Sequence, residues 1–216
     1  MTRLVILGKP GSGKGTQAAI IASHYKIPKI STGDLIRASI TDKTEIGEKF
    51  QAYSDEGLLV PDELILQMVT SRLSRSDCAN GFLLDGFPRT MPQAASLGRW
   101  LSDHSLALTT ALYLRVPNHI LIKRAAGRRF CSVSGRTYHV IYNPPNVEGH
   151  CDVSGRVLQE RDDDKPEVIQ RRLTEYDQKT APVIEFYRSS GNFVEIDGVG
   201  ELPEVTNLIF DGIKAC

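Results

Sequence analysis

Gly8-Lys9-Pro10-Gly11-Ser12-Gly13-Lys14-Gly15-Thr16 follows the apolar run Leu4-Val5-Ile6-Leu7 and precedes a stretch that can be helical. This is the strand, glycine loop, helix order of a phosphate-binding P-loop. Gly8, Gly13 and Lys14 satisfy the GxxxxGK spacing, and side chains at the glycines would obstruct the backbone N–H groups that wrap a polyphosphate. The helix N-terminus adds its partial positive charge beneath the phosphates. Gly11, Ser12, Gly13, Gly15 and Thr16 complete the expected cradle, and Lys14 is placed as a point charge that follows the transferred phosphoryl group. We therefore take Lys14 as the first catalytic candidate. Gly15 stands where most P-loops carry Ser or Thr, and the hydroxyl comes one residue later, at Thr16.

Outward from the loop, short apolar runs alternate with amphipathic stretches. Strands are expected at Leu4 to Leu7, Lys29 to Ile30, Phe82 to Leu84, Ala111 to Val116 and Phe193 to Ile196. Helices are expected at about 14–25, 33–41, 44–55, 62–75, 91–102, 118–127, 167–188 and 202–213. The pattern predicts an α/β fold: a P-loop NTPase core whose parallel five-stranded sheet is flanked by helices. Ser31 or Thr32 caps the helix near 33, while Pro61 and Pro166 sit at helix starts. From Gly127 to about Asp164 the pattern changes to short runs punctuated by Gly135, Asn143-Pro144-Pro145, Gly149 and Gly155. That segment reads as a small β-rich insertion able to close over a phosphate site. No internal repeat is evident.

Bulk composition limits the partners. Twenty-six basic residues balance 26 acidic ones, with 41% hydrophobic and 24% charged residues. The chain thus has no global bias toward nucleic acid or anionic membrane, and no apolar run of membrane-spanning length. With the P-loop strand beginning near the N-terminus, a cytoplasmic location is expected. Four cysteines, at 78, 131, 151 and 216, lack the density of a disulfide scaffold.

The second informative segment is Phe82-Leu83-Leu84-Asp85-Gly86-Phe87-Pro88-Arg89-Thr90, an apolar strand ending in a carboxylate. Ligands of open parallel sheets sit at strand carboxyl ends, which puts Asp85 beside the P-loop, where it can hold Mg²⁺ through water. The other reading of Asp85 is a cap for the following turn. Arg37, Arg89, Arg124, Arg128, Arg129, Arg161 and Arg172 supply the planar, permanently charged donors that transfer between two anionic nucleotides needs.

With these residues in view, the chain resembles adenylate kinases of the long-lid type, within the nucleoside monophosphate kinases, from Thr2 to Ile213. The resemblance rests on the GKGT ending with Pro10, on Ser31-Thr32-Gly33-Asp34-Leu35-Ile36-Arg37, on Gly57-Leu58-Leu59-Val60 before Pro61-Asp62-Glu63, and on Asp85 to Arg89 with Gln93. Gly127-Arg128-Arg129, Ser134 to His139 with Asn143-Pro144-Pro145, and Arg172 with Asp197-Gly198 complete it. It implies the reaction ATP + AMP ⇌ 2 ADP with Mg²⁺. Residues 11 to 16, Arg124, Arg128, Thr137, Tyr138 and the backbone near Gly200 would hold ATP. Thr32, Arg37, Leu58, Leu59, Val60, Gly86, Phe87, Pro88, Arg89 and Gln93 would form the AMP side, and Arg161 and Arg172 would reach phosphates between the nucleotides. Lys14, Asp85, Arg89, Arg128, Arg161 and Arg172 form the implied catalytic set. Residues 1–30, 61–126 and 165–216 become the core, 31–60 a helical AMP-binding subdomain and 127–164 the lid of a protein acting as a monomer.

Some lids of this family bind structural Zn²⁺ through four cysteines, whereas the aligned positions here are Cys131, Ser134, Cys151 and Ser154. Structural zinc takes four Cys or His ligands, and neither His139 nor His150 stands at a vacated corner. A polar cluster with free thiols is expected, ahead of zinc or a Cys131–Cys151 disulfide. Two other functions compete: another nucleoside monophosphate kinase, including a GTP:AMP phosphotransferase, and a P-loop switch that binds nucleotide without transferring phosphate.

Overall fold

The computed structural model describes residues 1–56 and 59–215. In chain order it runs β1 (Thr2–Leu7), α1 (Lys14–Tyr25), β2 (Lys29–Ser31), α2 (Thr32–Thr41), α3 (Glu45–Glu56), α4 (Asp62–Leu73), β3 (Gly81–Asp85) and α5 (Met91–Asp103). There follow β4 (Thr110–Arg115), α6 (Asn118–Ala126), β5 (Arg128–Phe130), β6 (Thr137–His139), α7 (Pro166–Glu175), α8 (Ala181–Arg188), β7 (Phe193–Asp197) and α9 (Leu202–Ala215).

Among the described residues, five strands form one parallel sheet in the order β2-β3-β1-β4-β7. Every residue of β3, and β1 after its first, is buried, as expected of central parallel strands covered on both faces. The pleat sends alternate residues to opposite sides. Val5, Leu7, Phe82, Leu84 and Ala111 enter the core that contains α4, α5 and α8, while Leu4, Ile6, Leu83, Leu112 and Leu114 enter the one that contains α1 and α9.

Because the strands are parallel, their carboxyl ends share one edge. That edge carries the P-loop after β1, Thr32 after β2, Asp85 ending β3 and Gly198 after β7. The α2–α3 pair stands beside it, and β5 and β6 pair antiparallel in the insertion. Ser31 is the cap of α2, its hydroxyl accepting from the Asp34 N–H at 3.2 Å.

Three sequence readings change. The single helix expected over 167–188 is α7 and α8 joined by a π-helical turn, Tyr176–Thr180. Arg128–Phe130 forms a strand that its charge had masked. A short internal repeat does exist: Cys131-Ser-Val-Ser-Gly-Arg136 and Cys151-Asp-Val-Ser-Gly-Arg156 make matching turns. In each, the Cys carbonyl accepts from the Gly N–H, 2.9 Å at Gly135 and 2.8 Å at Gly155, and the Cys N–H donates to the Arg carbonyl. Six residues at one recurrence fall below any periodicity argument. Gly57, Leu58 and Cys216 lie outside the described residues.

Candidate functional site

The P-loop is wound by glycine. Gly11 has φ +82°, and a Cβ there would stand 2.7 Å from the Leu121 carbonyl oxygen. Gly13, at φ +91°, turns the chain into α1 without a side-chain cap. The Lys14 and Gly15 N–H groups have no partner among the described residues and remain for an outside acceptor, while the Thr16 N–H donates to the Gly13 carbonyl at 3.1 Å. Ser12 is 1% exposed, and its hydroxyl has no hydrogen-bond partner among the described residues. A buried orphan hydroxyl in an uncapped helix mouth fits an anion.

Two adjoining cavities, of about 130 and 230 Å³, open along the sheet edge. The smaller is lined by Thr32, Leu59, Val60, Pro88 and Gln93. The larger is lined by Gly11 to Thr16, Asp85, Arg124, Arg128, Thr137, Tyr138, Arg161 and Gly200. Lys14, Arg37, Gly86, Arg89 and Arg172 line both. The residues expected for ATP line the larger chamber, whereas Arg37, Gly86 and Arg89, expected for AMP, line both and Arg161, expected between the nucleotides, lines the larger alone. The cations common to both, Lys14, Arg37, Arg89 and Arg172, form a shared wall. Phe87 is the exception: its side chain is buried in the core and lines neither chamber.

The wall is electrostatically incomplete. Burial, together with Arg89, Arg172 and Arg128, lowers Lys14 to about 7 against the opposing pull of Asp85. Its ammonium rests on the Lys9 carbonyl at 2.9 Å. Burial and neighbouring arginines lower Arg89 and Arg161 to about 10. Such a cluster is stabilised by an anion entering it.

The arginines are held by groups that sequence reading missed. Arg128 makes two hydrogen bonds to the fully buried Asp164 carboxylate, and these outweigh burial to raise the Arg128 pKa. Arg172 donates to the Asp163 carboxylate at 2.8 Å and to its carbonyl at 2.9 Å. Arg161 lies over the Phe130 ring, its Nη2 3.3 Å from Thr137 Oγ1. Thr32 Oγ1 and Arg89 Nε both donate to the Gly86 carbonyl, at 2.9 and 2.8 Å. Gln93 accepts from the Arg89 N–H and donates to Asp62, each at 2.7 Å. The sequence reading saw in Asp62 only a first-turn acid; here it also braces Gln93 and Thr90.

At the far end of the larger chamber, Arg124 donates to the Gly198 carbonyl at 2.9 Å and lies 5.6 Å from the Tyr142 ring centre. Tyr142 packs on His139, whose Nδ1 accepts from the Ile141 and Tyr142 N–H groups. Both rings line the chamber. The signal for them was the Asn143-Pro144-Pro145 turn that follows.

Asp85 has no side-chain hydrogen bond among the described residues and lines the chamber with Thr16. A buried carboxylate whose Oδ2 lies 3.5 Å from where a Cβ on Gly15 would stand, beside the cradle, fits a Mg²⁺ held through its waters. The four corners of the β-rich insertion, Cys131, Ser134, Cys151 and Ser154, do not fit zinc. Cys131 Sγ lies 3.1 Å from Ser154 Oγ, and Cys151 Sγ lies 3.2 Å from Ser134 Oγ and 3.5 Å from Tyr138 Oη. Both thiols are free and buried, in a polar ring with two sulfurs where four Cys or His ligands are needed. His139 and His150 make their bonds elsewhere.

A central P-loop facing a second, cation-walled chamber defines the class of P-loop phosphotransferases. A family model for adenylate kinase matches residues 6–192. The chain is 48% identical over 203 residues to an adenylate kinase of Lachnospira eligens, covering 94% of this chain and 95% of the relative. It is 47% identical over 213 residues to one of Streptomyces avermitilis, with 98% and 97% covered, and 44% identical over 211 residues to one of Caldicellulosiruptor saccharolyticus, with 98% of each covered. The chain belongs to the adenylate kinase family. It is a nucleotide-binding phosphotransferase with a phosphate group as acceptor. No helix among the described residues is long and apolar enough to cross a membrane.

Proposed function

We propose that the enzyme catalyses ATP + AMP ⇌ 2 ADP with Mg²⁺, serving adenine nucleotide homeostasis, with the larger chamber taking the donor and the smaller one AMP. The observation that carries this reading is the wall shared by the chambers, because transfer between two nucleotides needs their terminal phosphates to meet at one set of cations.

Gly11 to Thr16 hold the donor phosphates and Lys14 follows the phosphoryl group in flight. Arg124 and Tyr142 flank the donor base near Gly200, with Thr137 and Tyr138 beside it. Thr32, Arg37, Leu59, Val60, Gly86, Pro88, Arg89 and Gln93 hold AMP, whereas Phe87 contributes backbone only. Arg89, Arg128, Arg161 and Arg172 spread the charge that develops on the transferred group. Asp85 would hold Mg²⁺ through its waters, and the ion would supply positive charge to the donor phosphates. The acceptor oxygen is already anionic, so the mechanism uses no general base. The subdomain boundaries follow the same division: 31–60 for AMP, 127–164 for the lid, the remainder as core. Closure of both excludes water, whose attack would waste ATP. We assign a cytoplasmic protein acting as a monomer, since both chambers are completed by residues of one chain.

The test is a transfer panel of ATP or GTP with Mg²⁺ against AMP, GMP, CMP and UMP, detecting the diphosphates. ADP formation from ATP and AMP, lost in Lys14→Met, is the expected result. Preferred turnover with GTP reassigns the donor, and hydrolysis without an acceptor refutes transfer.

A further inference from the structure

Behind the larger chamber lies a buried polar triangle that the proposed reaction does not use. Gln17, on α1 just past the cradle, is 2% exposed, and Thr206, on α9, is 9% exposed. Thr206 Oγ1 lies 2.9 Å from Gln17 Oε1 and 2.7 Å from the Leu202 carbonyl oxygen, and Gln17 Nε2 lies 3.3 Å from that same oxygen. A hydroxyl has one proton, so Thr206 can donate to only one of these acceptors. In either orientation of the Gln17 amide a hydrogen bond joins α1 to α9: as placed, Gln17 donates to the Leu202 carbonyl, and turned over it donates to Thr206, which donates on to that carbonyl.

These groups adjoin the apolar cluster of Ala18, Ile21, Val205 and Ile209, where an amide left unpaired is destabilising. The triangle is therefore a specific join, and its position gives it a use. Gln17 and Leu202 both line the larger chamber, with Gly13 to Thr16 on one side and Gly198 to Gly200 on the other. The join thus sets how far the 198–202 wall stands from the phosphate cradle.

We infer that Gln17 and Thr206 are positioning residues that fix the span between phosphate cradle and base wall, and through that span the enzyme's preference among donor purines. The inference rests on the assignment of the larger chamber to the donor. A base is discriminated by a few hydrogen bonds to a wall, and a wall free to shift discriminates poorly.

The experiment measures Gln17→Met, Thr206→Val and Thr206→Ser with ATP and then GTP as varied donor at saturating AMP, and then with AMP varied. In Gln17→Met and Thr206→Val, KM for the preferred donor rises about tenfold and the ATP-to-GTP ratio in kcat/KM narrows by a similar factor, while KM for AMP stays within about twofold. Thr206→Ser, which keeps the hydroxyl, restores both values. A lowered Tm with unchanged donor selectivity overturns the inference and leaves a structural join only; so does an equal rise in KM for donor and acceptor. Should Gln17→Met fail to fold, Thr206→Val, nearly equal in volume, carries the same comparison. Should the wild type transfer no phosphate, the failure belongs to the proposed reaction. Equilibrium binding of ATP and GTP to wild type and Thr206→Val then decides the positioning role, which falls if their affinity ratio is unchanged.

Discussion

Lys14 gives the site a measurable proton coupling. In the empty enzyme, burial and the surrounding arginines lower its pKa to about 7. Phosphates brought against it favour the charged form, raising its pKa toward or beyond that of a free lysine. A group whose pKa rises on binding takes up a proton at any pH between the two values. Binding should therefore take up about one-tenth of a proton at pH 6, about half at pH 7 and about nine-tenths at pH 8, and affinity should fall with pH above 7 by up to about tenfold per unit. The ligand to use is two adenosines joined by five phosphates, without Mg²⁺, because its internal phosphates have no secondary ionisation near neutrality. Calorimetry in buffers of different ionisation enthalpy counts the protons. Lys14→Arg is the control, since guanidinium stays charged throughout and should abolish the uptake. Uptake that does not grow between pH 6 and 8, or that survives in Lys14→Arg, would refute the assignment of the proton to this residue.

Three further outcomes are expected. Asp85 is the charge that opposes the fall of the Lys14 pKa, so Asp85→Asn should move the uptake curve toward acid pH in the absence of Mg²⁺; a curve that stays put removes Asp85 from contact with the lysine. A Cβ on Gly127 would stand 2.3 Å from His139 Cε1, so Gly127→Ala should push out the ring that holds the 139–142 turn, raising donor KM several-fold with AMP KM unchanged, as steady-state kinetics will read. Ser134→Cys with Ser154→Cys puts four sulfurs around a ring now spanned by 3.1–3.5 Å contacts, and should bind one zinc per chain with a chelator-sensitive rise in Tm by thermal melting, whereas the parent should carry none by metal analysis.

The parts of the fold that declare themselves in sequence are those governed by local rules. Leu4 to Leu7 and Phe82 to Leu84 are apolar because both faces of a central parallel strand are covered, and the glycines of the P-loop are required by backbone geometry at particular positions. What stayed hidden depends on partners distant along the chain. Arg128–Phe130 pairs with Thr137–His139, and nothing within Arg-Arg-Phe announces that. Asp163 and Asp164 carry no motif in the sequence, and only the fold sets them against Arg172 and Arg128. Tyr142 has no motif of its own, and it reaches the site from beyond the Thr137–His139 strand, through the turn that precedes Pro144. The Gln17 and Thr206 pair, 189 residues apart, lies beyond any motif.

The mixture of one lysine and several arginines on the shared wall also has a physical reason. An empty chamber lined by cations is under repulsion, and some charge must be lost or countered for the fold to tolerate it. Arginines lowered only to about 10 keep their charge at neutral pH, so a wall of arginine alone would carry the full repulsion. A wall of lysines, each free to discharge as Lys14 does, would greet the incoming phosphates with little charge. With Lys14 lowered to about 7, this wall sheds part of its charge near neutrality, at the residue proposed to travel with the phosphoryl group, and should recover it on binding. Arg128 and Arg172 are meanwhile held by Asp164 and Asp163, whose negative charges offset part of the mutual repulsion. On the proposed reading, the resting site is poised for anions in its geometry and relieved of part of their absence in its charge.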